Sequence, residues 1–292
     1  MNEVTSQHES LVIIIIGASG DLAHRKIYPS LLELFLSKFI VRNFFIWGYA
    51  RSKKSHQSFR SQLKSRLLDD SRFKQNKFIV DAFLSKCFYQ SGKAYNDTES
   101  YEEMIKKIEK NEHNIPNLSL SNRLFYLAIP PNIFVDAGIA IRKVCLPKRG
   151  WTRIIMEKPF GNDLDSCIQL LTILSKNFKE HQLYRIDHYL GKEMVQNMLI
   201  FRFSNNWIDK IWNRNVISSV LIEFKECIGT DGRGGYFDQY GIIRDVIQNH
   251  LIQILALVAM ECPDQVRLTA FSLYQFLVVE FYFLVLSDVV TD

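Results

Sequence analysis

The sequence has few cysteines, and their number and spacing exclude two classes of protein. The 292-residue chain holds five, none in a C-x-x-C pair: Cys87, Cys145, Cys167, Cys227 and Cys262. An odd number of widely spaced cysteines argues against a disulfide framework and against a structural zinc site. We therefore expect a reducing, cytoplasmic location and no metal ion.

The chain also lacks a concentration of charge and a targeting signal. Its 36 basic and 31 acidic residues are interleaved, and the net charge is only +5. A nucleic-acid-binding protein would be expected to gather positive charge on one face. A small anionic ligand explains the excess equally well, so we expect no nucleic-acid partner. Residues 1–10 are polar and carry two acids, unlike a secretory or transit signal.

The segment that comes nearest to a membrane span is interrupted by polar residues. Residues 268–290 are densely apolar but include Gln275 and Glu280, whereas a spanning helix needs about 20 apolar residues with few or no charges. A buried strand or helix is therefore favoured over an anchor, and we expect no membrane partner. A third interpretation is that these residues are not native to the fold.

What is present is an alternation of strands and helices. Residues 11–16 form a short apolar run closed by glycine, typical of a buried strand. Residues 28–39 predict a helix with Pro29 in its first turn. Strands are also predicted over 43–49, 123–129 and 153–156, and helices over 58–68, 100–109 and 164–178. This order predicts an α/β fold with a Rossmann-like, doubly wound parallel sheet.

The character of the sequence changes after residue 184. Residues 216–224 favour a longer strand, and residues 242–260 a mostly apolar, buried helix. We therefore predict a domain boundary near 185–188. The first domain, over 9–187, would bind a cofactor. The second, over 188–292, would be the start of a truncated α+β domain with an antiparallel sheet.

A glycine turn separates the first strand from the first helix. Glycines at such a turn let the backbone approach a pyrophosphate, and the helix N-terminus favours negative charge. The spacing is G-x-x-G and not the full G-x-G-x-x-G, so a turn that only links strand to helix is the alternative. The predicted cofactor-binding residues are Gly17, Ala18, Ser19, Gly20, Asp21 and Leu22.

The second strand ends without an acidic residue. An Asp or Glu there would bind the free ribose 2′-hydroxyl of NAD. Arg51 and Ser52 stand there instead, and arginine suits a 2′-phosphate because it can bind one bidentately. The sequence therefore predicts NADP as the cofactor, with a solvated basic loop as the alternative.

Four blocks resemble signature sequences of the glucose-6-phosphate dehydrogenase family. They are GASGDLA at 17–23, EKPFG at 157–161, RIDHYLGKE at 185–193 and GIIRDVIQNH at 241–250, in the order of the family. The resemblance implies oxidation of glucose 6-phosphate to 6-phosphogluconolactone with NADP, the first step of the oxidative pentose phosphate pathway. Hydride would leave C1 while a base takes the C1 hydroxyl proton.

The resemblance also assigns the catalytic and sugar-binding residues. His250 would be the general base, because an imidazole can accept a proton at cellular pH. Its orienting partner would be Asp187, since five residues along an α-helix turn Asp245 about 140° away from His250. Asp245 and Glu226 would bind sugar hydroxyls.

The substrate phosphate and the cofactor would share positively charged residues. The resemblance implies phosphate contacts from His188, Tyr189 and Lys192, which lie in one short segment. Lys158 would touch both substrate and cofactor, and its bond to Pro159 is expected to be cis. Without the resemblance, these residues would be interpreted as ordinary loop residues with no role in binding.

The sequence departs from the family at three places that matter. Phe134 stands where some members carry a tyrosine that contacts the cofactor. His24-Arg25-Lys26 replaces a lysine-rich run, which largely keeps the charge. Similarity is expected to stop after Glu261, so that residues 262–292 are not family-like. The missing half would hold the interface of the family's homodimer or tetramer.

Two other functions remain open at this point. One is an NADP oxidoreductase of the glucose–fructose oxidoreductase type, which also uses a Glu-Lys-Pro turn. The block at 185–193 argues against it. The other is a catalytically impaired NADP-binding module, which the missing half would explain.

Overall fold

A computed structural model describes residues 8–40, 43–161, 163–186, 189–225, 229 and 234–261. The chain divides into two compact units, the first ending at Ile186 and the second beginning at Asp187. The apolar segment at 268–290 lies outside the described residues. Within the described ranges, no helix is long and apolar enough to cross a membrane.

Six parallel strands form the sheet of the first unit. They are β1 (Glu9–Ile16), β2 (Phe44–Ala50), β3 (Cys87–Ser91), β4 (Leu120–Leu127), β5 (Thr152–Met156) and β6 (Leu183–Arg185). Their order in space is β3-β2-β1-β4-β5-β6. The strand order reverses between β1 and β4, where doubly wound sheets bind ligands at the carboxyl ends of the strands. The predicted Rossmann-like sheet is confirmed.

Six α-helices connect these strands. They are α1 (Tyr28–Leu36), α2 (His56–Asp69), α3 (Lys77–Ser85), α4 (Thr98–Glu112), α5 (Phe134–Val144) and α6 (Leu164–Asn177). A π-helical segment, Ala23–Ile27, leads into α1, and short 3₁₀ turns occupy Pro131–Ile133 and Glu180–Gln182. Ser55, Asp97 and Asp163 cap α2, α4 and α6 by accepting from the backbone N–H three residues on, which satisfies one otherwise unpaired donor in each helix.

The core lies on both faces of β1. Val12, Ile14 and Ile16 pack in one apolar cluster, and Ile13 and Ile15 pack in a second one. A strand with neighbours on both sides and helices on both faces is buried all round, so it has a continuous apolar sequence instead of an alternating one. This is why the run at 11–16 predicts a strand correctly.

The regular secondary structure of the second unit is helical throughout its described residues. It contains α7 (Glu193–Phe203), α8 (Asn206–Ile211), α9 (Gly234–Ile242), a π-helical segment (Ile243–Leu251) and α10 (Ile252–Ala259). Arg202 Nη2 donates to Met260 O at 2.8 Å, and Trp212 Nε1 donates to Val258 O at 2.7 Å. These bonds satisfy carbonyls at the end of α10 that have no intrahelical partner, and they tie α7 and α8 to α10.

The strand predicted over 216–224 is absent, and no antiparallel sheet occurs among the described residues of this unit. The antiparallel sheet expected within 188–292 stays a prediction, because residues 262–292 lie outside the described residues. A strand needs a neighbouring strand for its backbone hydrogen bonds, and local alternation cannot supply one. The helix predicted over 242–260 is present, but it is not buried throughout, since Ile242, Ile243 and Leu255 are exposed.

Candidate active site

The glycine turn after β1 is closed by contacts that only glycine permits. Gly17 has a φ of +91°, and a Cβ there would lie 2.2 Å from Ala128 O. The N–H groups of Gly17 and Ala18 donate to Tyr49 O at 2.8 and 3.2 Å, and Gly20 N donates to Gly17 O at 2.9 Å. The turn is therefore fixed against the carboxyl ends of β2 and β4.

The open side of this turn fits a dinucleotide pyrophosphate. Among the described residues, a Cβ at Gly20 would meet only Gly17 O, at 3.1 Å, and Gly20, Asp21 and Leu22 are exposed. The N–H groups of the first helical turn have no intrahelical acceptors and carry partial positive charge. Asp21 itself pairs with Arg25 at 2.8 Å. The backbone of the turn, more than the Asp21 carboxylate, is suited to hold phosphate.

The loop after β2 presents the predicted 2′-phosphate residues. The Arg51 guanidinium is exposed and lies 5.4 Å from the centroid of the Tyr95 ring. Ser52 is half-buried, and its Oγ lies 2.8 Å from the Tyr89 hydroxyl. The loop thus presents an exposed guanidinium next to a hydroxyl that is held by a hydrogen bond.

His24, in the π-helical segment after the glycine turn, does not contribute to the positive charge expected for residues 24–26. It is only 3% exposed, and neither ring nitrogen has a hydrogen-bond partner among the described residues. Burial, followed by repulsion from Arg66 and Lys54 and partly opposed by Asp21, lowers the pKa of His24 to about 4. His24 is therefore neutral at physiological pH, and the charge of the segment comes from the exposed Arg25 and Lys26.

The loop after β5 carries Lys158. The Lys158-Pro159 peptide bond is cis, as predicted, and Lys158 is half-buried. The preceding residue, Glu157, accepts a hydrogen bond from the Tyr126 hydroxyl on β4. This bond fixes the start of the loop at the carboxyl edge of the sheet, the same edge that carries the glycine turn.

In the second unit, three residues of the predicted site lie in one aromatic cluster. The His250 imidazole, 4% exposed, stacks on the Tyr189 ring with centroids 3.8 Å apart and planes inclined by 14°. Lys192 Nζ lies 3.6 Å from the Tyr189 ring centroid, and Phe224 lies 5.5 Å from the same ring. The predicted base and two predicted phosphate ligands therefore meet, although they come from separate segments.

The helix that carries His250 corrects the geometry assumed for Asp245. The argument from sequence used an α-helix, in which positions 245 and 250 diverge. The segment is π-helical, so its backbone hydrogen bonds join residues five apart. Asp245 and His250 thus occupy successive turns on nearby sides of the helix, and the expected divergence of about 140° is wrong.

Three predicted residues lie outside the described residues. They are Asp187, His188 and Glu226. Their roles as orienting partner, phosphate ligand and sugar ligand stay predictions. Sequence reasoning also missed Tyr89 and Phe224, which contact predicted site residues; the resemblance blocks do not include either position, and local pattern gives no signal for a contact made across the fold.

Comparison with known proteins decides the family. Residues 14–197 match the family model described as "Glucose-6-phosphate dehydrogenase, NAD binding domain". Residues 199–278 match "Glucose-6-phosphate dehydrogenase, C-terminal domain". The chain belongs to the glucose-6-phosphate dehydrogenase family. This membership disfavours the glucose–fructose oxidoreductase alternative, and it supports a nicotinamide dinucleotide as the cofactor of the first unit. The expectation that similarity stops after Glu261 is wrong, because the second match runs to residue 278.

Curated relatives and solved structures agree with this assignment. Glucose-6-phosphate 1-dehydrogenase of Dictyostelium discoideum is 48% identical over 263 residues, covering 90% of the chain and 52% of the relative. The chloroplastic glucose-6-phosphate 1-dehydrogenase 1 of Arabidopsis thaliana is also 48% identical over 263 residues, covering 89% of the chain and 44% of the relative. The chain spans about half the length of these relatives.

A solved structure of glucose-6-phosphate dehydrogenase in complex with its substrate glucose-6-phosphate matches with a TM-score of 0.82. It is 44% identical, over 88% of the chain and 53% of that structure. The enzyme from Mycobacterium avium matches with a TM-score of 0.75 at 33% identity, over 87% of the chain and 53% of that structure. The fold of the family is therefore present across the matched part of the chain.

Proposed function

We propose that the chain oxidises D-glucose 6-phosphate at C1 to 6-phosphogluconolactone and reduces NADP. Family membership supports the reaction class. The observation that carries the proposal is the stacking of His250 on Tyr189 beside Lys192. These residues belong to the two blocks that the resemblance links to proton removal and to phosphate binding.

His250 removes the proton of the C1 hydroxyl. The ring is buried and stacked, so its orientation is restricted, and a base held in position contributes about 10²- to 10⁴-fold to such a step. NADP, which the glycine turn with Arg51 and Ser52 would hold, would supply the hydride acceptor for C1 when bound. Loss of one hydride and one proton converts the C1 hydroxyl to the lactone carbonyl. Asp187 orients the imidazole, and Asp245 and Glu226 bind sugar hydroxyls.

The substrate phosphate is held by Lys192 and Tyr189, together with His188. The Lys192 stem is exposed, and its ammonium rests on the Tyr189 ring. A cation–π contact of this kind contributes about 0.5–1 kcal/mol at an exposed site, so a dianionic phosphate can draw the ammonium away from the ring. Lys158 contributes a second cation at the cofactor side.

NADP is preferred over NAD because of the loop after β2. Arg51 provides an exposed guanidinium that can bond a phosphate bidentately. No carboxylate stands at residues 50–54 to bind a free 2′-hydroxyl or to repel a phosphate.

We also propose a cytoplasmic location and the homodimeric or tetrameric assembly expected for the family. Cytoplasmic and chloroplastic relatives both occur, so imaging of the tagged chain tests the location.

The test is an assay of the purified 1–292 chain. Reduction of NADP is followed by ultraviolet absorbance with glucose 6-phosphate and, separately, with free glucose. We expect turnover with the phosphorylated sugar and at least about 100-fold less with glucose, because Lys192 and Tyr189 have no phosphate to bind. NADP binding without turnover of either sugar would contradict the activity and identify the chain as an NADP-binding module.

A further inference from the structure

The hydroxyl of Tyr89 is the main anchor of the loop that carries the proposed 2′-phosphate residues. Tyr89 Oη donates to Ser52 O at 2.7 Å and lies 2.8 Å from Ser52 Oγ. One buried hydroxyl thus contacts both the backbone and the side chain of Ser52.

The strand register explains how Tyr89 reaches this position. Tyr89 pairs with Gly48 on β2, two residues before the end of that strand, so the chain after Ala50 folds back over the end of β3. Ser91, two residues further along the same strand, donates to Ser52 O at 3.1 Å and accepts from Lys54 N at 3.3 Å. The carboxyl end of β3 therefore holds the backbone of the loop as well as the Ser52 side chain.

Hydrogen counting shows why the Tyr89 hydroxyl matters for an anion. A hydroxyl carries one hydrogen and two lone pairs, and a phosphate only accepts hydrogen bonds. The one hydrogen of Tyr89 is donated to Ser52 O, but it can turn to Ser52 Oγ because Ser91 Oγ also donates to Ser52 O. The hydrogen of Ser52 is then released to point outward to an acceptor. Such chains of hydroxyl groups polarise one another and strengthen the outer bond. A free 2′-hydroxyl can also donate, so it gains less from this arrangement.

We propose that Tyr89 is a positioning residue that sets the preference for a 2′-phosphorylated cofactor by orienting the hydroxyl of Ser52. The inference rests on the proposed use of NADP. Tyr89 is not a catalytic residue, because it acts through Ser52 and belongs to the buried cluster beneath the loop.

The chain offers a matched control in Tyr28. Both tyrosine rings are buried in the same cluster and pack on Phe59, at 4.9 Å for Tyr89 and 5.7 Å for Tyr28. The Tyr28 hydroxyl, in contrast, has no hydrogen-bond partner among the described residues. Replacement of either tyrosine by phenylalanine removes one hydroxyl and keeps the ring, so the two variants separate the hydrogen bonds from the packing.

The experiment measures binding to the 1–292 chain by calorimetry, with adenosine 2′,5′-bisphosphate and adenosine 5′-monophosphate as probes. We expect Tyr89→Phe to lower the affinity for the bisphosphate about tenfold, which corresponds to the loss of one hydrogen bond to a charged group. The affinity for the monophosphate should fall less than twofold. Tyr28→Phe should change neither. In a Ser52→Ala background, Tyr89→Phe should have no further effect on the bisphosphate, since the two residues act as one unit.

Each contrary result has a separate meaning. Equal weakening of both nucleotides by Tyr89→Phe, or losses that add in the double variant, would overturn the positioning role and leave Tyr89 a packing residue. A wild-type chain that binds both nucleotides equally would overturn both the NADP assignment and this inference. Strong discrimination that depends on Tyr89, without turnover of glucose 6-phosphate, would support the inference and contradict only the proposed activity.

Discussion

The buried imidazole of His24 predicts an unusual dependence of stability on pH. His24 lies in the π-helical segment after the glycine turn, packed 5.8 Å from the Tyr28 ring, with no partner for either nitrogen among the described residues. The cationic groups Arg66 and Lys54 oppose its protonation, and Asp21 favours it weakly. Substitution by methionine, an apolar side chain of similar volume, removes the titratable group with little change in packing.

The size of the effect follows from the lowered pKa. In the unfolded chain the pKa of a histidine is about 6.5, and in the folded chain that of His24 is about 4. Between these values the unfolded state binds more protons, so stability falls as the pH falls. The contribution is complete above about pH 6.5 and decreases toward pH 4. From pH 7 to pH 5, His24 alone should cost about 2 kcal/mol of unfolding free energy.

Urea unfolding at pH 7 and pH 5, followed by tryptophan fluorescence, measures this cost. The loss of unfolding free energy on acidification should be about 2 kcal/mol smaller in His24→Met than in the wild type, because the other groups titrate alike in both. His181→Gln, at an exposed position, should behave as the wild type. Identical acid sensitivity in wild type and His24→Met would refute the claim that His24 is buried and neutral.

Three further substitutions test the fold and the cofactor loop. Glu112→Gln leaves the guanidinium of Arg123, 2% exposed and held by two 3.0 Å bonds, without its buried counter-charge; urea unfolding should show a loss of about 3–5 kcal/mol, whereas a loss below 1 kcal/mol would contradict it. Gly17→Ala adds a Cβ 2.2 Å from a carbonyl oxygen at φ +91°; we expect at least about 1 kcal/mol of destabilisation and loss of NADP binding by calorimetry, and an unchanged affinity would be the contrary result. Arg51→Ala should weaken NADP at least about tenfold more than NAD in the same assay, and equal losses would show that Arg51 does not contact the 2′-phosphate.

The sequence predicts the centre of the sheet better than its edges. The strands β1, β2, β4 and β5 lie inside the sheet and have apolar sequences that stand out from their surroundings. The edge strands β3 and β6 are short, with Gln90 in one and Arg185 in the other. A strand with one neighbour needs less apolar surface, so its sequence carries a weaker signal. Residues 216–224 show the opposite case: their sequence has the pattern of a strand, but they form none, because alternation alone does not provide a neighbouring strand to pair with.

Local sequence pattern and the resemblance propose residues for the site, whose roles stay predictions, but they do not give the contacts between those residues. The glycine spacing after β1 and the absence of an acid after β2 point to a dinucleotide from local chemistry alone. The stack of Tyr189 on His250 joins distant segments, and nothing in the local pattern encodes it. The same holds for the bond between Tyr89 and Ser52. The π-helical geometry around His250 was also missed, since apolar periodicity cannot distinguish it from an α-helix over nine residues.

Steady-state kinetics of the 1–292 chain and its His250→Asn variant, with glucose 6-phosphate and NADP, test the proposed chemistry most directly. We predict that the variant loses at least about 100-fold in kcat while its KM for the sugar phosphate changes less than about threefold, because asparagine keeps a polar group but cannot take the C1 proton. The exposed His181→Asn variant should keep the wild-type rate. A His250→Asn enzyme with a wild-type kcat would contradict the assignment of His250 as the base.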